Sequence, residues 1–116
     1  MRRDKAEERR IARERIDALF AQAEAQARAG QAGRAARYVA LARRIGMRYV
    51  VPLGRAHRRR FCRACGAYLL PGRTARVRAR EGKMSITCLA CGHVGRFGYR
   101  REQQQRRRAR HGVGPG

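Results

Sequence analysis

Four cysteines, with no fifth, stand in two matched clusters, Cys62-Arg-Ala-Cys65-Gly66 and Cys88-Leu-Ala-Cys91-Gly92. A C-x-x-C loop closed by glycine lets two thiolates converge on one centre while backbone amides turn toward the sulfurs. Two such loops complete a tetrahedral S4 shell, the arrangement that zinc prefers in structural sites. The spacer from Gly66 to Thr87 is 22 residues, slightly longer than usual for this pattern, and it accommodates a hairpin. The expectation is a zinc ribbon in which Cys62, Cys65, Cys88 and Cys91 hold one ion.

Other uses of four thiols fit less well. Two disulfides need an oxidising compartment, and no apolar signal segment follows Met1-Arg-Arg-Asp-Lys5, so a cytoplasmic setting is expected. Redox C-x-x-C pairs usually come singly, beside a βαβ pattern that is missing here. Iron in a rubredoxin-like site uses the same S4 geometry; zinc is preferred because nothing else in the chain points to electron transfer. His93 follows the second cluster and is read as a surface or supporting residue, the shell being complete without it.

A closed thiolate shell keeps no position for water, unlike catalytic zinc. Carboxylates are scarce as well: from Gln31 to Gly116 the only acids are Glu81 and Glu102. No carboxylate pair is present there to hold magnesium or to work as acid and base, so the chain alone is not expected to be a catalyst.

The formal charge of +22 dominates the composition, and 28 of the 30 basic residues are arginine, the exceptions being Lys5 and Lys83. Arginine forks onto phosphate and stacks on bases, which makes nucleic acid the expected partner. No apolar run is long enough to span a membrane, and no basic amphipathic helix carries bulky aromatic anchors, so no membrane partner is expected. Charge is also segregated. Residues 1–30 carry 8 bases and 6 acids, whereas residues 31–116 carry 22 bases and 2 acids. The two parts should meet different partners.

The elements that position these residues follow from periodicity and punctuation. The fold class expected is α+β: an antiparallel two-helix hairpin at 4–49, a basic linker at 50–60, a three-stranded ribbon at 61–99 and a basic tail at 100–116. Asp4 to Ala29 reads as a helix stopped by Gly30, with Ile16, Leu19, Phe20, Ala23 and Ala27 on one side and Ile11 and Ala12 extending the stripe. A second helix should run from Gln31 or Gly33 to Gly46, with Ala35, Tyr38, Val39, Ala42 and Ile45 as its apolar face. Two helices make a thin core, so part of the first stripe is also read as a surface for a partner protein. Met47 to Leu53 reads as extended, followed by a linker ending in Arg58-Arg59-Arg60. Ala67 to Gly72 reads as a short strand and turn. Thr74 to Arg80 alternates strictly and puts Arg76, Arg78 and Arg80 on one face. Glu81 to Lys83 is a turn, Met84 to Cys88 the partner strand, and His93 to Tyr99 a third strand carrying Arg96 and Phe97. The residues expected to meet RNA are Arg43, Arg44, Arg48, Arg58, Arg59, Arg60, Arg76, Arg78, Arg80 and Arg96.

Taken together, Glu14 to Phe20, Ala36 to Tyr49, Arg60 to Cys65, Leu70-Pro-Gly72, Ala75 to Arg78 and Ile86 to Gly92 give the chain a specific likeness. It resembles the archaeal ribonuclease P protein component 4 family. Thr74 stands where that pattern expects asparagine, and Gly98 where it expects proline. The resemblance implies two N-terminal helices, a zinc ribbon, and pairing with a barrel-shaped subunit, ribonuclease P protein component 1. It implies docking on the ribonuclease P RNA, which removes the 5′ leader of precursor tRNA with magnesium that this chain does not bind. The near-neutral first helix, through Ile16, Leu19 and Phe20, would face the protein partner, and the arginine-rich remainder the RNA. A zinc-ribbon ribosomal protein shares the charge and thiol pattern. A zinc-ribbon transcription factor does too, although no recognition helix follows the metal site.

Overall fold

Residues 4–98 are described by a computed structural model. The expected basic tail at 100–116 and the end of the third strand at Tyr99 lie outside the described residues. Two long helices come first, α1 (Lys5–Arg28) and α2 (Ala32–Arg48), then a single-turn helix α3 (Arg55–Arg58), and finally strands β1 (Ala75–Arg80), β2 (Lys83–Cys88) and β3 (Val94–Gly98).

The start of α1 is fixed by Asp4, whose carboxylate accepts the Ala6 amide at 3.2 Å, with Glu7 and Glu8 in the first turn favoured by the positive end of the helix dipole. At the other end the Gly30 amide reaches the Ala27 carbonyl at 3.1 Å and the Gln31 amide the Gln26 carbonyl at 2.8 Å. This paired closure satisfies orphan carbonyls and turns the chain straight into α2. The interface between the two helices is alanine-rich: Ala12, Ala23, Ala27, Ala35 and Ala42 are all buried, and small side chains let the backbones approach closely. Phe20 and Val39 supply the bulk, at 1 % and 0 % exposure. Truncating a buried phenylalanine costs about 3–5 kcal/mol, so Phe20 is a principal support of the hairpin.

Its burial corrects one expectation. Ile16 and Phe20 are expected to face a partner, but both are taken up by the chain's own core, and only Leu19 of that trio stays partly accessible. The reason is that the core is larger than two helices. His57 and Phe61 pack on Phe20, and Val51 and Tyr68 join the same core, so residues beyond the hairpin cover the stripe that two helices alone would leave open.

The junction is built from specific contacts. His57 stacks on Phe20 with ring centroids 4.2 Å apart, and Phe61 tilts against the same ring at 6.0 Å. His57 Nε2 donates to Asp17 at 2.6 Å, Arg60 pairs with Glu24 at 3.6 Å, and Arg73 donates to the Arg28 carbonyl at 2.5 Å. One edge of α1 is thereby tied to the segment that leads into the cysteine loops.

The sheet has the order β1-β2-β3, antiparallel throughout. Arg80 pairs with Lys83 across Glu81 and Gly82, whose φ values of 51° and 76° are those of a type I′ hairpin turn. Segment 67–72, which reads as a short strand and turn, instead makes only isolated bridges, Phe61 to Tyr68 and Pro71 to Ala75. Here Thr74 holds the loop: its hydroxyl accepts the Leu70 amide at 2.6 Å and donates to the Tyr68 carbonyl at 2.7 Å.

The end of α2 also departs from expectation. Gly46 reads as a helix stop, and Met47 and Arg48 as extended, yet the helix runs on to Arg48. Gly46 is there for space. A Cβ at this position would lie 2.9 Å from the Val51 carbonyl oxygen, which passes over the helix on its way to the linker. The stop is Val50, which takes a left-handed φ of 53° while the Val51 amide closes on the Gly46 carbonyl at 2.8 Å. Replacing Gly46 with alanine raises intrinsic helix propensity by about 1 kcal/mol. The backbone clash outweighs that gain, since overpacking costs about 1–3 kcal/mol. Urea unfolding of Gly46→Ala followed by circular dichroism is therefore expected to show a net decrease in stability; an increase would mean that the 50–53 segment can lift away from α2 freely.

Candidate metal centre and nucleic-acid face

The two cysteine loops are near copies of each other. Within the first, the Gly66 amide donates to the Cys62 carbonyl at 2.8 Å; within the second, the Gly92 amide donates to the Cys88 carbonyl at the same distance. Gly66 and Gly92 have φ of 78° and 80°, a left-handed turn that glycine adopts without strain and that folds each loop back over its sulfurs. Phe61 and Tyr68 anchor the first loop to the helical core, while β2 delivers Cys88. Cys88 pairs with Ala75 in the sheet, and the Cys88 amide donates to the His93 carbonyl at 2.8 Å. His93 itself is exposed and serves the loop through its backbone.

The four Sγ atoms lie within 4.8 Å of one another, with Cys62 to Cys91 at 3.5 Å and Cys65 to Cys88 at 3.6 Å. A tetrahedral S4 site with metal–sulfur bonds of about 2.3 Å has sulfurs roughly 3.8 Å apart, so the cluster has the dimensions of such a site. Cys62 and Cys88 are buried while Cys65 and Cys91 are exposed. Electrostatics point the same way. Burial pushes the Cys62 thiol up, but the amides of Cys65 and Ala64 and the thiols of Cys91 and Cys65 outweigh it and bring it to about 7. For Cys65 the Ala67 amide acts downward, yet burial and the neighbouring sulfurs of Cys88, Cys91 and Cys62 prevail and push it up to about 12. Cys91 is also raised: the His93 amide lowers it, and the Cys62 thiol and burial override that amide. One thiolate forms readily and suppresses the next. Only a cation at the centre lets all four ionise together, and the four residues could hold one metal ion.

Next to this centre the register assembles a cationic face. Arg76 lies opposite Thr87, Arg78 opposite Ser85, and Arg80 opposite Lys83, while Ser85 meets Arg96 on its other side. Because side chains alternate across a sheet, Arg76, Arg78, Arg80, Lys83 and Arg96 share one face. The opposite face carries Ala75, Val77, Ala79, Met84, Ile86 and Phe97. Lys83 is absent from the arginines expected at this surface because, in sequence, it reads as part of a turn; the two-residue hairpin makes it the cross-strand partner of Arg80.

The other predicted arginines are spread over the remaining surface. Arg43 sits over the Phe61 ring at 4.9 Å, Arg48 over Tyr49 at 5.5 Å and Arg59 over Phe97 at 5.3 Å. Arg44 is exposed on α2. Arg58 Nε donates to the Leu53 carbonyl at 3.1 Å, and Arg60 is held by Glu24. Arg60 is thus partly committed to internal contacts. Periodicity cannot detect that kind of commitment.

Known proteins share this arrangement of helices, loops and ribbon. A sequence profile of the RNAse P Rpr2/Rpp21/SNM1 subunit domain matches residues 15–92. The ribonuclease P protein component 4 of Methanoculleus marisnigri is 50 % identical over 100 residues, covering 86 % of this chain and 94 % of the relative. That of Methanocaldococcus jannaschii is 45 % identical over 103 residues, covering 86 % and 80 %. The chain belongs to the ribonuclease P protein component 4 family. Among solved structures, a chain in the cryo-EM structure of archaeal Ribonuclease P with mature tRNA superposes with a TM-score of 0.74 at 45 % identity, over 86 % of each chain. The Pfu Rpp21 structure superposes with a TM-score of 0.55 at 40 % identity, covering 74 % of this chain and 97 % of that one. The family resemblance expected from the motifs is therefore shown, as is its α+β architecture. No described helix is long and apolar enough to cross a membrane.

Titrating cobalt(II) into the metal-free full chain is expected to saturate at one ion, with sulfur-to-metal charge-transfer absorption and tetrahedral d–d bands. Binding must expel the protons that Cys65 and Cys91 retain, so the affinity should fall as pH is lowered. A pH-independent affinity would show that the thiols are not the ligands.

Proposed function

We propose that this chain is an RNA-binding subunit of an archaeal ribonuclease P, the enzyme that removes the 5′ leader from precursor tRNA. The observation that supports it most strongly is the cationic face of Arg76, Arg78, Arg80, Lys83 and Arg96, set on a ribbon that belongs to this family. In this reading the catalyst is the RNA, with its own magnesium. The chain neutralises phosphates and favours the folded, active arrangement of that RNA. Zinc in the Cys62, Cys65, Cys88 and Cys91 site supplies structure, holding two loops together so that the sheet arginines keep their spacing. Arginine suits the task because its planar fork meets phosphate oxygens in pairs.

The protein partner in this reading is ribonuclease P protein component 1, meeting the outer surface of α1 near Leu19. Precursor tRNA is met indirectly, through the RNA that this chain supports.

Two measurements test the proposal. A tagged chain purified from its host under mild salt should bring down ribonuclease P RNA; enrichment of ribosomal RNA or promoter DNA in its place would overturn the assignment. Binding of ribonuclease P RNA, followed by fluorescence at several KCl concentrations, should show a steep salt dependence. Replacing the sheet arginines one at a time, as Arg76→Ala, Arg78→Ala and Arg80→Ala, should flatten the log–log slope by about 0.7–0.9 for each side chain that touches a phosphate. An unchanged slope in the triple variant would remove the sheet from the RNA surface.

A further inference from the structure

Beside the cationic face lies an apolar groove that phosphate neutralisation does not use. Its volume is about 790 Å³, and it runs between the end of α2, the 50–53 segment and the ribbon. Met47, Val50, Pro52 and Phe97 form its walls, and Gly46 and Phe61 lie along it. Among the described residues, Arg43, Arg58 and Arg63 are its only charged lining, and no acid lines it. A second cavity of about 540 Å³ shares Arg58 and Phe97 with it and adds Arg55, Arg59, Lys83 and Arg96, with Glu81 as its one acid among the described residues. The groove therefore adjoins the β3 edge of the basic face.

Two features mark it as more than leftover surface. Met47 and Val50 are each 72 % exposed, the highest values among the large apolar side chains described. Val50 also holds its left-handed φ of 53°, a conformation that a β-branched residue takes only under strain and that glycine or asparagine would take in its place at a helix end. Strain of this kind persists at ligand sites. The left-handed turn itself ends α2, but the valine side chain adds nothing to that stop and is projected into solvent at the groove's wall.

We propose that this groove receives one unstacked RNA base, whose flanking phosphates lie on Arg58 and Arg63 and continue toward Lys83 and Arg96. The proposal rests on the RNA-binding reading above and deepens it. Charge complementarity selects the occupant: an all-cationic rim around apolar walls matches a flat apolar ring carried on an anionic backbone. Proteins that take up splayed bases use the same combination of aromatic faces and guanidinium planes. Arg43, already seated over Phe61, presents such a plane at the groove.

The test uses the full zinc-loaded chain and a fluorescent single-stranded 12-nucleotide RNA, compared with the same oligonucleotide made abasic throughout. Base stacking at one site should favour the base-containing strand by about five-fold or more at equal phosphate count. Val50→Gly should reduce that preference several-fold while leaving the salt slope unchanged, and should raise the melting temperature because the strain is released. Met47→Gln, on the exposed face of α2, should reduce it without altering stability. Equal affinities for the two strands, or an unchanged preference in both variants, would overturn the groove while leaving the basic face intact. Absence of any salt-dependent RNA binding would instead overturn the RNA-binding reading and the groove with it. In the reconstituted complex, protection of Met47 from oxidation by a protein subunit with RNA omitted would assign the groove to a protein and likewise overturn the proposal.

Discussion

The contact between Phe20, His57 and Phe61 is the joint on which this molecule depends. The helical hairpin can bury Phe20 only if something beyond α2 covers it, and the cysteine loops have only a small apolar cluster of their own: Cys62, Leu69, Ala75, Ile86 and Cys88. Each half lacks what the other supplies. Stacking His57 on Phe20 at 4.2 Å, with Phe61 tilted beside it, closes both deficits at once and places Cys62, the residue after Phe61, at a fixed distance from α1. Around this apolar contact the polar ties are peripheral, and exposed pairs of that kind contribute little individually. Their effect is on orientation, since Asp17, Glu24 and the Arg28 carbonyl engage three successive points of the chain that leads to the ribbon.

The sulfur cluster imposes the second constraint. Four thiols within 4.8 Å cannot share that volume as anions unless a cation balances them. A metal ion held there would stabilise the ribbon by charge where its small apolar cluster is insufficient. Its sheet can then gather Arg76, Arg78, Arg80, Lys83 and Arg96 on one face, among Ser85, Thr87 and Val94, without relying on hydrophobic packing on that side. Chemistry at the loops and cation density on the sheet are two consequences of one design.

Much of this is legible in the sequence. The cysteine spacing yields the four-thiol cluster directly, because glycine after each pair dictates the same turn twice. Strict alternation from Thr74 to Arg80 yields the cationic face, and the 3.6-residue stripe yields the α1 core. What cannot be read is anything set by contact between distant segments. Gly46 looks like a stop signal in one dimension; only the passage of Val51 over it shows that the absent Cβ makes room for a carbonyl. Ile16 and Phe20 look surplus to a two-helix core because His57 and Phe61, about forty positions along the chain, give no local sign that they return to α1. The groove is invisible for the same reason, being made of three segments that meet only in the folded chain.

The internal use of the α1 acids has a consequence for the approach to a polyanion. Glu7 and Glu14 pair with Arg10 along the helix, while Asp17 and Glu24 engage His57 and Arg60 at the joint. Among the described residues, these carboxylates are spent along α1 and at the joint, and the cations of the sheet face are left largely uncompensated. A polyanion would therefore be drawn more strongly to the sheet face than to the acid-bearing edge of α1 before any contact is made. Such steering would turn the ribbon toward the polyanion during diffusion and shorten the orientational search.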